Sequence, residues 1–163
     1  MVNEITFERA SELLRLDPET GALWWRTGTD VRARGEAGYI NPRGYRIVMI
    51  DGKNHRAHRL VWLLLNGKLP ENDIDHVNGV RSDNRPSNLR EATRSQNNEN
   101  QRRPRGNSRS PYLGVTWHAQ SKRWAARITT CGRLKHLGLF TTPEQARDAY
   151  IAAKRSLHSH GTL

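Results

Sequence analysis

The sequence predicts an α+β protein made of two small units. In the first, helix and hairpin elements lead into a strand, loop, strand and helix; the second is a three-stranded antiparallel sheet packed on one helix. Three observations predict this. Short apolar runs of strand length are separated by turn pairs such as Asp51-Gly52, Asn78-Gly79 and Cys131-Gly132. Helical periodicity appears only in short stretches, each opened by a Thr or Ser or closed by a Gly. With 163 residues, of which 35% are hydrophobic, any core is modest, which favours two small units over one large one.

In chain order, Thr6 is placed to cap a helix through FERASELLRL, with Phe7, Ala10, Leu13 and Leu14 on one face. Residues 17–21, DPETG, form a turn, and Leu23, Trp24 and Trp25 read as a strand. Residues 44–50 make a strand, Asp51-Gly52 turns it, and a return strand runs through Asn54 to Arg56. Arg43, Arg46, Lys53 and Arg56 on this hairpin are expected to be exposed and able to follow a sugar-phosphate backbone. Residues 57–65 form a short buried helix closed by Asn66-Gly67. Asp73 to Val77 alternates as a strand, residues 80–88 are loop, and residues 89–93 form another strand. Ser95 then caps a helix starting at Gln96 that extends toward Arg103. Beyond a Pro-, Gly- and Arg-rich stretch lie three strands within residues 113–118, 123–129 and 134–140. A last helix opens at Thr142-Pro143, with Ala146, Ala149, Tyr150, Ala153 and Leu157 on one face.

Charge separates the two halves. The formal net charge is +11, yet residues 1–100 hold 15 basic and 14 acidic side chains, against 12 and 2 in residues 101–163. The C-terminal part therefore faces a polyanion, and no basic amphipathic helix suggests a membrane surface instead. The longest apolar run, Leu60 to Leu65, is too short to span a bilayer, so a soluble protein with no membrane partner is expected. The single cysteine, Cys131, excludes an internal disulfide and suits a reducing cytoplasm, that of a bacterial host cell if the gene is carried by a phage.

The chemistry concentrates in residues 74–97, IDHVNGVRSDNRPSNLREATRSQN. An imidazole near its ordinary pKa takes a proton from water at neutral pH, which suits His76 to phosphodiester hydrolysis. Carboxylate and amide oxygens, as in Asp75 and Asn97, suit Mg²⁺, which stabilises charge on a phosphate and its leaving oxygen. A surface Asp-His hydrogen bond in an Asn-rich turn is the bland alternative.

Asp75-His76, Asn88 and Asn97, in register with NRPSNLREATRSQN, resemble the ββα-metal site of phage HNH homing endonucleases. The resemblance implies that His76 is the general base, that Asp75 and Asn97 are the metal ligands, and that Asn88 holds the loop and the orientation of His76. Asn97 stands where many relatives carry His, which moves the expected cofactor to Mg²⁺, with Mn²⁺ as the alternative. His58 is read as structural, a catalytic or metal role being its rival. The domains expected are an HNH nuclease domain at 1–100 (catalytic unit about 57–101), a basic linker at 101–111 and a DNA-binding domain at 112–163.

The last segment, YLGV through WAARI and HLGLF to the alanine-rich helix, resembles the Apetala-two/ethylene-response-factor type of DNA-binding domain. That resemblance implies a sheet entering the major groove, with Thr116, His118, Arg127, Thr129 and His136 at matching positions. Arg102, Arg103, Arg105 and Arg109 are expected to contact phosphates from the linker. Together these features predict a metal-dependent, site-specific endonuclease of HNH homing type acting on double-stranded DNA. It would nick one strand per monomer and act as a monomer or a DNA-dependent dimer. The alternative is a DNA-binding regulator with an inactive HNH unit.

Overall fold

The computed structural model describes residues 4–26, 35–101, 104 and 108–158. The chain divides into two compact units, Met1–Glu91 and Ala92–Leu163. Both are α+β.

In the first unit, α1 (Phe7–Leu13) opens where the Thr6 hydroxyl accepts from the Arg9 amide. It is shorter than its apolar spacing predicts. Leu14 to Leu16 instead form β1, paired antiparallel with β2 (Leu23–Trp25), because the Asp17 to Gly21 turn lets the chain fold straight back. Both Leu14 and Leu23 are thereby fully buried. Gly21 sits at φ +70, and a Cβ there would overlap the backbone carbonyl of Asn84, so the turn packs directly against the loop that follows His76.

A second sheet contains β3 (Tyr39–Ile40), β4 (Arg46–Ile50) and β5 (Lys53–Arg56) in that order. Asp51 and Gly52 take φ of 50 and 74, the two positive values that a two-residue hairpin of right-handed twist requires. Arg46 is not the exposed contact expected of it. It is half-buried in an ion pair with Glu36 at 2.6 Å. Helix α2 (Ala57–Asn66) follows without a break and ends at Gly67, whose φ of 71 closes it through a bond to the Leu63 carbonyl. Its buried face, including Ala57, Leu60 and Val61, packs with Val48, Ile50, Ile74 and Leu89 to make the core of this unit. Full burial of each such side chain contributes roughly 1.5–3 kcal/mol.

Next, β6 (Asp73–His76) pairs with β7 (Leu89–Ala92), and α3 (Arg94–Glu99) follows, completing a β-β-α succession. The helix is capped two residues earlier than expected. Thr93, rather than Ser95, accepts from the Gln96 amide, and the Gln96 side chain accepts from the Thr93 amide in return. This reciprocal pair fixes the start, and the helix stops at Glu99. Arg103 lies outside the described residues.

In the second unit, α3 lies against β9. Strands β8 (Val115–His118), β9 (Arg123–Thr130) and β10 (Arg133–Phe140) form an antiparallel sheet in the order β10, β9, β8. The β9-β10 turn again uses two positive φ values, at Cys131 and Gly132. Helix α4 (Pro143–Leu157) is capped by Thr142, packs Ala146 against Val115 and Ala126, and also buries Tyr150. The strand from residue 113 begins late, at Val115. Gly114 has φ +72, and a side chain there would strike the Tyr150 ring. Lys154, a buried cation on the α4 face, donates to the Gln101 carbonyl at 2.7 Å and so ties the end of the α3 segment to this helix. No described helix is long and apolar enough to cross a membrane.

Candidate active site

Strand β6 ends with Ile74, Asp75 and His76 all buried. Two strands of four residues cannot shield them alone, and the rest of the cover comes from α2, β4 and the loop between β6 and β7. The His76 ring sits edge-on to His58 with centroids 5.0 Å apart, and Tyr45 approaches both, at 5.6 Å from His58 and 6.2 Å from His76.

The Nε2 of His76 lies 3.2 Å from the amide oxygen of Asn84, itself buried. An amide oxygen can only accept. The bond therefore assigns the ring proton to Nε2 and the lone pair to Nδ1. Burial pushes the His76 pKa below its ordinary value, more than the Asn84 bond and nearby Asp75 raise it, so the ring is neutral at pH 7. A neutral imidazole with one nitrogen as donor keeps the other as an acceptor.

The loop after His76 is held by its own polar side chains. Asn88 accepts from the Asn78 amide at 2.9 Å and donates to the Asp83 carbonyl at 2.7 Å, while its backbone carbonyl receives the Val77 amide. Asp83 in turn takes both the Asn78 side chain and the Arg85 guanidinium, whose hydrogen bonds hold its pKa down at about 2. Asn88 thus organises the loop. The side chain bonded to the His76 ring is Asn84, a residue for which the sequence reading had no role.

Asp75 is 6% exposed, and its Oδ2 accepts from both Nε and Nη2 of Arg90, at 3.0 and 2.8 Å. Arg90 stands on β7, so the strand pair brings the Asp75 carboxylate and its guanidinium partner together. Asn97 is the fourth residue of α3 and half-buried, and that helix belongs to the second unit. Among the described residues no three His, Cys, Asp or Glu side chains gather into a metal-binding group. Carboxylate and amide oxygens are each hard donors of the kind Mg²⁺ accepts while keeping several waters.

His58 is nearly fully buried, and desolvation, with His76 and Arg56 adding to it, pushes its pKa down to about 3. Its folded value lies below the ordinary 6.5, so the unfolded chain binds the proton first. Stability is then full above pH 6.5 and is lost progressively as pH falls from 6.5 toward 3. Urea unfolding across that window should show the decline, and His58→Asn should flatten it; an unchanged slope would contradict burial of a neutral ring.

In the second unit, Val115 and Ala126 join the core against α4, so alternate residues point to the other face of the sheet. The register pairs Thr116 with Ala125, His118 with Arg123, His136 with Arg127 and Leu134 with Thr129. Thr116, His118, Arg127, Thr129 and His136 therefore share the face away from the helix. Thr116, Thr129 and His136 are exposed and Arg127 and His118 half-buried, the last bonded to Ser121 at 2.8 Å. Arg109 is exposed, and Arg102, Arg103 and Arg105 lie outside the described residues.

The buried imidazole at the end of β6, the loop tied by Asn88 and the β-β-α order fall within residues 55–99, and this segment matches the HNH endonuclease family. The chain belongs to that family. It is similar to Protein 3.8 of Escherichia phage T7, with 32% identity over 82 residues that cover 50% of this chain and 67% of that protein. No solved structure matches the chain.

Proposed function

We propose that the protein is a metal-dependent, site-specific DNA endonuclease that nicks one strand per monomer, with the nuclease domain at residues 1–100. The observation that carries this reading is the buried, neutral His76 held through Nε2 by Asn84 at the end of β6. Nδ1 of His76 takes a proton from the attacking water, Asn84 keeps the ring in the tautomer that permits it, and Asn88 keeps the loop in place. Asp75 and Asn97 would hold Mg²⁺ or Mn²⁺. When bound, the cation supplies positive charge for the phosphate and the leaving 3′ oxygen. Hydrolysis leaves 5′ phosphate and 3′ hydroxyl ends.

A DNA-binding domain at residues 112–163, behind a basic linker at 101–111, aims the cut. It resembles an Apetala-two/ethylene-response-factor domain. Thr116, His118, Arg127, Thr129 and His136 on the open sheet face would read the major groove, and Arg102, Arg103, Arg105 and Arg109 would follow phosphates. A regulator with an inactive HNH unit is the second reading, favoured by the Arg90 guanidinium already seated on Asp75.

A supercoiled plasmid assay separates the two. Purified protein should convert plasmid to the nicked form in Mg²⁺ and stop in EDTA, with linear product appearing only if a dimer or a second encounter cuts the other strand. Retained duplex binding with no metal-dependent nicking would establish the regulator.

A further inference from the structure

Beside the base lies a cationic group that its roles so far leave unexplained. The guanidinium carbons of Arg56 and Arg81 each stand 5.0 Å from the centroid of the Tyr45 ring. Arg56 ends β5, Arg81 belongs to the loop after β6, and Tyr45 precedes β4, so three separate segments of the first unit converge on one ring. Both arginines are exposed. Among the described residues neither is paired with a carboxylate, and Arg81 donates instead to the Arg43 carbonyl at 3.0 Å. That is unlike Arg85 and Arg90, each held by an aspartate.

Two like charges on one ring repel each other unless an anion joins them. Stacking on an aromatic face leaves the edge N–H donors of a guanidinium available, in the fork that matches two phosphate oxygens. The same ring lies 6.2 Å from His76, which puts the clamp within a side chain's length of the base. Arg56 also lines a cavity of about 350 Å³ with Lys53, His55 and Arg59, where Glu4 is the one acidic side chain among the described residues, so the basic surface continues past the clamp.

We propose that Arg56 and Arg81, stacked on Tyr45 beside His76, bind a phosphodiester group of duplex DNA. This deepens the endonuclease reading and rests on it for the choice of DNA as ligand. Tyr45 is the positioning residue, and the two arginines touch the substrate.

The test uses the full chain and a fluorescein-labelled duplex of arbitrary sequence, in EDTA so that nothing is cut, across a KCl series. Each of Arg56→Ala and Arg81→Ala should lower the slope of log Kobs against log[KCl] by about 0.9, the value of one lost phosphate contact. Tyr45→Phe should keep the wild-type slope and Tyr45→Leu should lose most of what the two arginine variants lose together. Thermal melts confirm that each variant folds. Slopes equal to wild type in both arginine variants overturn the proposal, as does an equal fall in Lys68→Ala, which removes one exposed charge outside the stack. Nicking of plasmid in Mg²⁺, measured in parallel, judges the endonuclease reading separately: slopes that fall without nicking keep the clamp and end the enzyme, and nicking with unchanged slopes does the reverse.

Discussion

His76→Ala should nick supercoiled plasmid about 10²–10⁴-fold more slowly than wild type while binding duplex DNA with unchanged affinity, the range expected when a general base is removed. The expectation follows from the ring's surroundings. Burial keeps it neutral, Asn84 fixes which nitrogen carries the proton, and neither His58 nor Tyr45 competes as a base: His58 is driven further from protonation, and the Tyr45 ring stacks with arginines. A gel time course with binding measured in EDTA checks it. Nicking at the wild-type rate would remove His76 from the chemistry.

Arg90→Ala should cost about 3–5 kcal/mol of unfolding free energy in EDTA, because it leaves the 7%-exposed Asp75 carboxylate buried without its guanidinium. Arg90 itself is 25% exposed, so the lower end of that range is expected. Mg²⁺ should return more stability to Arg90→Ala than it adds to wild type, since a cation on Asp75 replaces the missing charge. Asp75→Asn alone should cost less and abolish the Mg²⁺ effect. Urea titrations with and without Mg²⁺ decide this, and equal Mg²⁺ increments in all three proteins would exclude Asp75 as a ligand.

Much of the architecture could be read from local signals because local chemistry fixes it. Thr6, Asp51-Gly52, Gly67 and Thr142 each satisfy or bend the backbone within four residues of themselves, and the elements they bound are present. Reading failed where a distant partner decided. Leu14 has helical spacing with Ala10, yet Trp25 across a hairpin claims it for a strand. Thr93 and Ser95 are equal as isolated caps, and only the returning bond from Gln96 chooses between them. The same division holds at the site. That Asp75 and His76 close a strand follows from alternation before Asn78-Gly79. Asn84 against the ring, Arg90 across the strand pair and Tyr45 from a different sheet are meetings that no spacing along the chain announces. The roles given to Asp75, Asn88 and Asn97 rest on resemblance in register, since an Asn in a loop looks alike whether it serves a turn or a cation.

The turn glycine at position 21 has a further bearing, on how portable the catalytic unit is. Its missing side chain lets the first hairpin press on the backbone of Asn84, so the residue bonded to the His76 ring is shelved by a segment some sixty residues upstream. Tyr45 comes from outside residues 55–99 as well. The stretch that defines the family is therefore an insert whose mould lies elsewhere in the chain, and grafting it onto a new scaffold would transfer the signature without the support that holds its histidine in place.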